Sequence, residues 1–598
     1  MNIHTVYPLT RLIIIIILIS GLMGCESDSK KDWKDPESRA TLEALITEGE
    51  LLNKIEQNGD KYIFYFETTT VEVPVGDILS IKSEPEQWRT ILTFSNNYDF
   101  YIPSLGTSLD YTIKKVKVNP TGYNPLSASI QIDLPAKGRI KVIVHGKSKG
   151  SKDIEHLYQN NDYQQDITVL GLYAGHNNLV DLIFTDKEGK ERGKAHIEIP
   201  VDPLTDVRLP KLMLTKAIPN KMEPGMTLIN YLGETDTDTH CPFIVDETGE
   251  IRWLLTLKKH PELKHFIAHC GLQRMKNGNF ITGDAFNDQI IELDMLGNIV
   301  HKWDLKDKGY SFHHEVMEMS DGNLLATVSR IDAKLPDGNS RSFDYVIELD
   351  PEQGNIVKEW DLSTMLDIEH YKYLNSDDTP SDWAHNNAVC TDGSNIIVSM
   401  RNVGVMKFDR SGKVKWILSP HKGWVSPWKE NLLQPLDNKG VAITNPEVIT
   451  GNERTDDFDW SWGPHCPIIM PNGNLLIFDN GLYRRFKDID LYSKEGYSRA
   501  VEYKINESNQ TVQQVWQYGE ERGRSCFSIA LSSVAYLPET GHILFSPGVG
   551  TPNTNGIGGK VIEVDYLTKE VVYELEVSTS SYMAFHRASR LNLYPNNF

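Results

Sequence analysis

Beyond residue 210 one phrase recurs in the chain: two short apolar strands joined by a polar turn, most copies closing on an aromatic residue. It reads "PFIVDETGEIRWLL", "IIELDMLGNIVHKWDL", "YVIELDPEQGNIVKEWDL", "VMKFDRSGKVKWIL", "AVEYKINESNQTVQQVWQY" and "VIEVDYLTKEVVYELEV". Each of the later copies follows a second strand pair with its own turn: "LQRMKNGNFIT", "VMEMSDGNLLAT", "AVCTDGSNIIVS", "PIIMPNGNLLIF" and "VAYLPETGHILF". Four strands per unit, repeated at about 50 residues, is the pattern of a β-propeller, close to the kelch period. Six copies predict six blades; the first lacks an inner pair of its own and is expected to be completed by the C-terminal "AFHRASRLNLYP".

The rest of the chain is organised around that repeat. Residues 40–58 carry a helical period, and β-rich segments follow to about residue 110, a small accessory region at 40–110. Short strands with turn residues between them fill 111–205, among them "SASIQIDL", "GRIKVIVHGK" and "NNLVDLIFTD". Their spacing predicts an immunoglobulin-like β-sandwich ahead of a propeller at 210–598. The expected fold class is therefore all-β, a six-bladed β-propeller preceded by an N-terminal immunoglobulin-like β-sandwich domain.

A net charge of −21 opposes nonspecific binding to nucleic acid or anionic lipid, so any anion site must be local. Residues 1–24 hold an Ile-rich run of signal-peptide length, and Leu22-Met23-Gly24-Cys25 resembles the bacterial lipobox. That reading makes 1–24 a lipoprotein signal peptide, Cys25 the lipidated residue and polar 25–39 a tether. It places the protein in the cell envelope, periplasmic or anchored to the outer membrane. The remaining cysteines, Cys241, Cys270, Cys390, Cys466 and Cys526, show no CxxC and no zinc-ligand spacing.

Alignment of the inner turns brings out the candidate site. His314, His385 and His465 each stand seven residues before the turn residue Asp321, Asp392 or Asn472. The innermost strand of a propeller blade lines the central channel, so three imidazoles in one register should converge at one end of it. Arg401 lies sixteen residues after His385 and returns to the same end, where a guanidinium can hold an anion by bidentate geometry. Arg330 holds the same place after His314 and is the rival. Asn387 shares the strand face of His385 by period-two alternation and can add a hydrogen bond. His269 and His313 fall one position out of register, and His586 in the closing segment has no assigned role.

"DWAHNNAV" and "HCPIIMPNGNLLIFDNG" resemble the two histidine strands of the bacterial arylsulfate sulfotransferases that use no nucleotide donor, and "NPTGYNPLSA" with "GLYAGHNNLVDL" is similar to their N-terminal domain. The resemblance spans roughly 110–598. It implies that His465 is the nucleophile that becomes sulfated, with His314, His385 and Arg401 around the sulfuryl group and Asn387 beside them. It also implies an aryl sulfate donor, a phenolic acceptor, a ping-pong cycle and no cofactor. The residue types suit that chemistry. A neutral imidazole has a lone pair near neutral pH, arginine and imidazolium stabilise developing charge, and a second histidine can protonate a leaving phenol of pKa about 10. Two other classes stay open on the residues alone: a metal-dependent propeller lyase on uronic-acid sugars, and a propeller that binds without turnover. A homodimer is left open.

Overall fold

The computed structural model describes residues 37–598 apart from 107–111, 149, 186–188, 234–239, 268–269, 334–343, 371–382, 488, 581–582 and 597. The signal segment, Cys25, His269 and Asp382 lie outside the described residues. Two compact units are present: the chain up to residue 108 with residues 135–137, and the remainder.

In the smaller unit the helical period at 40–58 is only partly realised. A helix runs over Glu37–Glu48 and a strand over Leu52–Asn58. Gly49 ends the helix at φ +88°, its N–H bonding the Ile46 carbonyl while Glu50 N–H reaches that of Leu45, a Schellman stop. Beyond it two three-stranded sheets close on Leu42, Phe64, Val73, Leu92 and Ile102.

In the region ahead of the propeller Ser127–Val144 forms one long strand where the sequence suggests two. Its first half pairs with Ile113–Val118 and Asp162–Leu170, its second with Ile154–Leu157 and His176–Thr185, so this strand passes through both layers of the immunoglobulin-like domain. The propeller follows as a series of antiparallel sheets. The first is Ile251–Leu254, Phe243–Val245, Met226–Tyr231 and Phe585–Leu591, so the C-terminal strand does supply the missing inner position. The next three begin at inner strands Gln273–Arg274, Tyr310–Glu318 and Asn386–Thr391. The fifth begins at Pro464–Ile469 and carries Gln434–Leu436 as an added parallel edge. The last begins at Ser533–Leu537 and gains Lys211–Ala217 at its outer edge, a closure the repeat does not announce.

Neighbouring sheets pack face to face, and the apolar residues that alternate along each strand fill the wedges between them. Met319, Leu325, Val346 and Trp360 meet Trp383, Val398, Met406 and Phe408 in one such wedge. In four of the repeats the tryptophan near the end of the outer hairpin joins one sheet to the next. Trp253, Trp303, Trp360 and Trp516 donate their indole N–H to the carbonyls of Met295, Pro351, Arg410 and Tyr566 at 2.7–3.3 Å, each on the outer hairpin of the following sheet.

Candidate functional site

The inner strands of the third, fourth and fifth sheets share an irregularity that regular pairing would forbid. Their ladders slip between Phe312 and Val316, Asn386 and Ala388, and His465 and Ile468. Within or beside each slip a non-glycine residue sits in the left-handed region: His314 at φ +59°, His385 at +55° and Cys466 at +51°. Such a residue costs about 1–2 kcal/mol and persists only where its surroundings hold it. At His385 the holders are visible. Its N–H donates to Asp344 Oδ2 at 3.0 Å, its carbonyl accepts from Arg401 N–H at 3.0 Å, and the Asn386 side chain donates to the Tyr345 carbonyl at 3.1 Å. The bulges turn the imidazoles together: the His314 and His385 rings lie edge to face, 4.8 Å between centroids, and His313 Nδ1 is 3.1 Å from His314 Nδ1.

His465 is 3 % exposed. Its Nδ1 lies 2.7 Å from Asn480 Oδ1 and 3.1 Å from the Gly463 carbonyl. The Asn480 amide nitrogen is committed to the Ser528 and Leu531 carbonyls at 2.8 and 3.3 Å, which fixes its oxygen toward the ring. Both neighbours of Nδ1 are thus acceptors, so Nδ1 carries the proton and Nε2 the lone pair. Burial pushes the imidazole down to about 3, against the opposing pull of the Gly463 and Asn480 hydrogen bonds, and the nearby His385 ring and Arg401 guanidinium push the same way as burial. His465 is therefore neutral at ordinary pH, and His385 and Arg401 are its electrostatic neighbours.

Asn480 is held in turn by a buried charge network. Asp479 Oδ1 accepts from Trp462 and Gly481 N–H at 2.9 and 3.1 Å, while its Oδ2 takes Arg484 and Arg499 at 2.9 and 2.8 Å. Arg484 also reaches Asp459 at 3.0 Å. Gly481 follows at φ +83°, where a Cβ would lie 2.2 Å from the Tyr497 carbonyl.

The structure sets His314 against His385, and His385 and Arg401 close enough to His465 to act on its charge. Asn387 is fully buried; it donates to the carbonyl of Pro464, next to His465, at 2.9 Å and accepts from Ser399 Oγ at 2.6 Å. Arg330 is engaged on its own sheet, with Asp332 at 2.8 Å, Tyr310 at 3.0 Å and Glu359 at 3.3 Å. His586 is buried in the closing strand, its carbonyl accepting from Ser532 N–H. The five cysteines after Cys25 are free thiols. Among the described residues no group of three or more His, Cys, Asp or Glu is arranged to hold a metal ion. Sequence reasoning missed Asn480 and Asp344; the "DNG" after the fifth inner hairpin was the available signal for the first, and nothing in the repeat marks the second.

Comparison with known proteins assigns the class. Residues 212–586 match the family model of the arylsulfotransferases (ASST), and residues 115–201 match that of the arylsulfotransferase Ig-like domain. The arylsulfate sulfotransferase AssT of Escherichia coli O6:H1 (strain CFT073) is 30% identical over 77% of this chain and 90% of its own length, and AssT of Lelliottia amnigena is 30% identical over the same shares. A solved protein of unknown function from Bacteroides caccae is similar at 12% identity over 61% of this chain and 98% of that one, with a TM-score of 0.36. The chain belongs to the arylsulfotransferase family. It is a sulfotransferase.

Proposed function

We propose that this protein moves a sulfuryl group from an aryl sulfate ester to a phenolic acceptor by a ping-pong cycle through sulfated His465, on a complete six-bladed propeller. The observation that carries the reading is the state of His465, a neutral buried imidazole with Nδ1–H bound to two acceptors and Nε2 left as the nucleophile. Nε2 forms an N–S bond to the donor sulfur as the S–O bond to the aryl oxygen breaks. Arg401 and the His314 and His385 imidazoles stabilise charge on the sulfuryl oxygens, and His385 or His314 gives a proton to the leaving phenolate. Asn387 stands beside them and, with its buried amide donating to the Pro464 carbonyl, holds the strand of His465 in place. In the second half the same histidine takes the proton of the acceptor phenol, whose oxygen attacks sulfur while the N–S bond breaks. Attack from Nε2 puts positive charge on the ring, and the Nδ1–H bonds to Asn480 and Gly463 stabilise it. The lipobox reading further proposes attachment to the envelope membrane through Cys25.

The test is labelling with a ³⁵S aryl sulfate in the absence of acceptor. Acid-labile, base-stable label should appear on the wild type, discharge on addition of phenol, and be absent from His465→Asn. Label that persists in that variant would remove His465 from the nucleophile's role.

A further inference from the structure

We infer that Asp344 is a positioning residue for the sulfuryl-transfer site, one carboxylate on the third sheet that fixes the histidines of two sheets at once. The inference rests on the reading of the site given above, and it concerns a residue outside the histidine register. Asp344 opens the strand Asp344–Asp350, is 3 % exposed and is paired across the ladder with Ser329. Its Oδ2 accepts the His385 N–H at 3.0 Å, and its Oδ1 lies 3.4 Å from Asn386 N and 3.8 Å from His313 Nε2. These contacts act on the two features that aim the site. Two successive N–H groups of the fourth sheet's bulge point at one carboxylate, an arrangement that holds His385 at its left-handed φ against the strain it carries. The same carboxylate faces the far nitrogen of His313, whose Nδ1 meets His314 Nδ1 at 3.1 Å, so its charge favours a proton on the His313 nitrogen turned toward it. The edge-to-face contact of the His314 and His385 rings is therefore set from both sides by Asp344.

A positioning role and a merely structural one separate in single-turnover labelling with the ³⁵S aryl sulfate. Loss of folded protein lowers the amount of label, whereas loss of aim lowers its rate at full stoichiometry. Asp344→Asn keeps size and one acceptor for the His385 N–H, but sets an amide N–H₂ against Asn386 N–H and removes the charge from His313. Asp344→Ala removes every contact. The expected result is full labelling at a reduced rate, slower in Asp344→Ala by about 10²-fold, the cost typical of reacting groups displaced by about 1 Å. The ring ¹⁵N resonances of His313 should also move in Asp344→Asn. A folded Asp344→Asn protein that labels at the wild-type rate with unmoved ring resonances overturns the inference; it serves alone where Asp344→Ala does not fold. Wild-type protein that takes no label would instead count against the covalent reading. In that event turnover of p-nitrophenyl sulfate with phenol decides Asp344: a kcat loss at unchanged KM and unchanged melting supports it, and wild-type kcat overturns it.

Discussion

A neutral amide beside His465, where many histidine catalysts keep a carboxylate, has a definite chemical consequence. A carboxylate at that place would strongly favour the imidazolium and raise the proton affinity of the ring; the neutral Asn480 oxygen accepts the Nδ1–H and pulls the same way, but less than burial pushes against it. Asn480→Ala is expected to let the tautomer relax and slow labelling by about 10-fold or more, with the His465 ring ¹⁵N pattern showing a mixture of neutral Nδ1–H and Nε2–H tautomers in place of Nδ1–H alone. Asn480→Asp should move the acid limb of labelling to higher pH, because imidazolium cannot attack. In the wild type, with His465 held at about 3, labelling should stay insensitive to His465 protonation down to roughly pH 4. A wild-type acid limb well above pH 4 that moves with substitution at Asn480 would contradict this assignment. The residues legible in the sequence were those whose type and register both spoke, the three histidines and Arg401. Asn480 and Asp344 act through hydrogen bonds to groups distant in the chain, and no spacing records such partners.

At the scale of the strand and its neighbours, the recurring aromatic at the end of the outer hairpin was plain in the sequence, while its task was not. The packing shows an inter-sheet tie, since the Trp303, Trp360 and Trp516 indoles each fill a wedge and donate to the next sheet's turn. Trp360→Phe should cost about 1 kcal/mol, the hydrogen bond to the Arg410 carbonyl, and Trp360→Ala about 3–5 kcal/mol, the added cavity. Denaturant unfolding measures both, and equal costs would mean that the indole N–H contributes nothing. The bulges were hidden for a related reason. Spacing from the turn puts His314, His385 and His465 in one register, yet the left-handed residue is the histidine itself in two strands and the following Cys466 in the third. Backbone irregularity of this kind depends on what grips the strand from the adjoining sheet, and the local sequence carries only the side-chain type.

For the whole molecule the closure of the ring was legible at its C-terminal end, because the first repeat lacked inner strands, but the outer edge supplied by Lys211–Ala217 was not, since an added edge strand leaves no gap in the repeat. A property of the assembled chain follows from how it treats histidine. Burial drives His465 and His370 down to about 3 and lowers His421, His260 and His156 as well. In the unfolded chain each imidazole takes up a proton near 6.5, so between 6.5 and the folded values the unfolded state binds more protons and stability rises with pH. The contribution is complete above about 6.5 and is lost as pH falls, at up to about 1.4 kcal/mol per pH unit for each strongly shifted group. His145 works in the opposite sense, burial on its own lowering it but the Asp181 and Asp153 carboxylates raising it in net, and one such group is outweighed. Urea midpoints should therefore decline steadily from pH 7.5 to 5.5, before the carboxylates begin to titrate. His370→Phe, which replaces a ring stacked 4.0 Å from Trp424, should flatten that slope without touching the site. A midpoint that holds level or rises on acidification would mean that these imidazoles fold with their protons on, and the neutral nucleophile at His465 would fall with them.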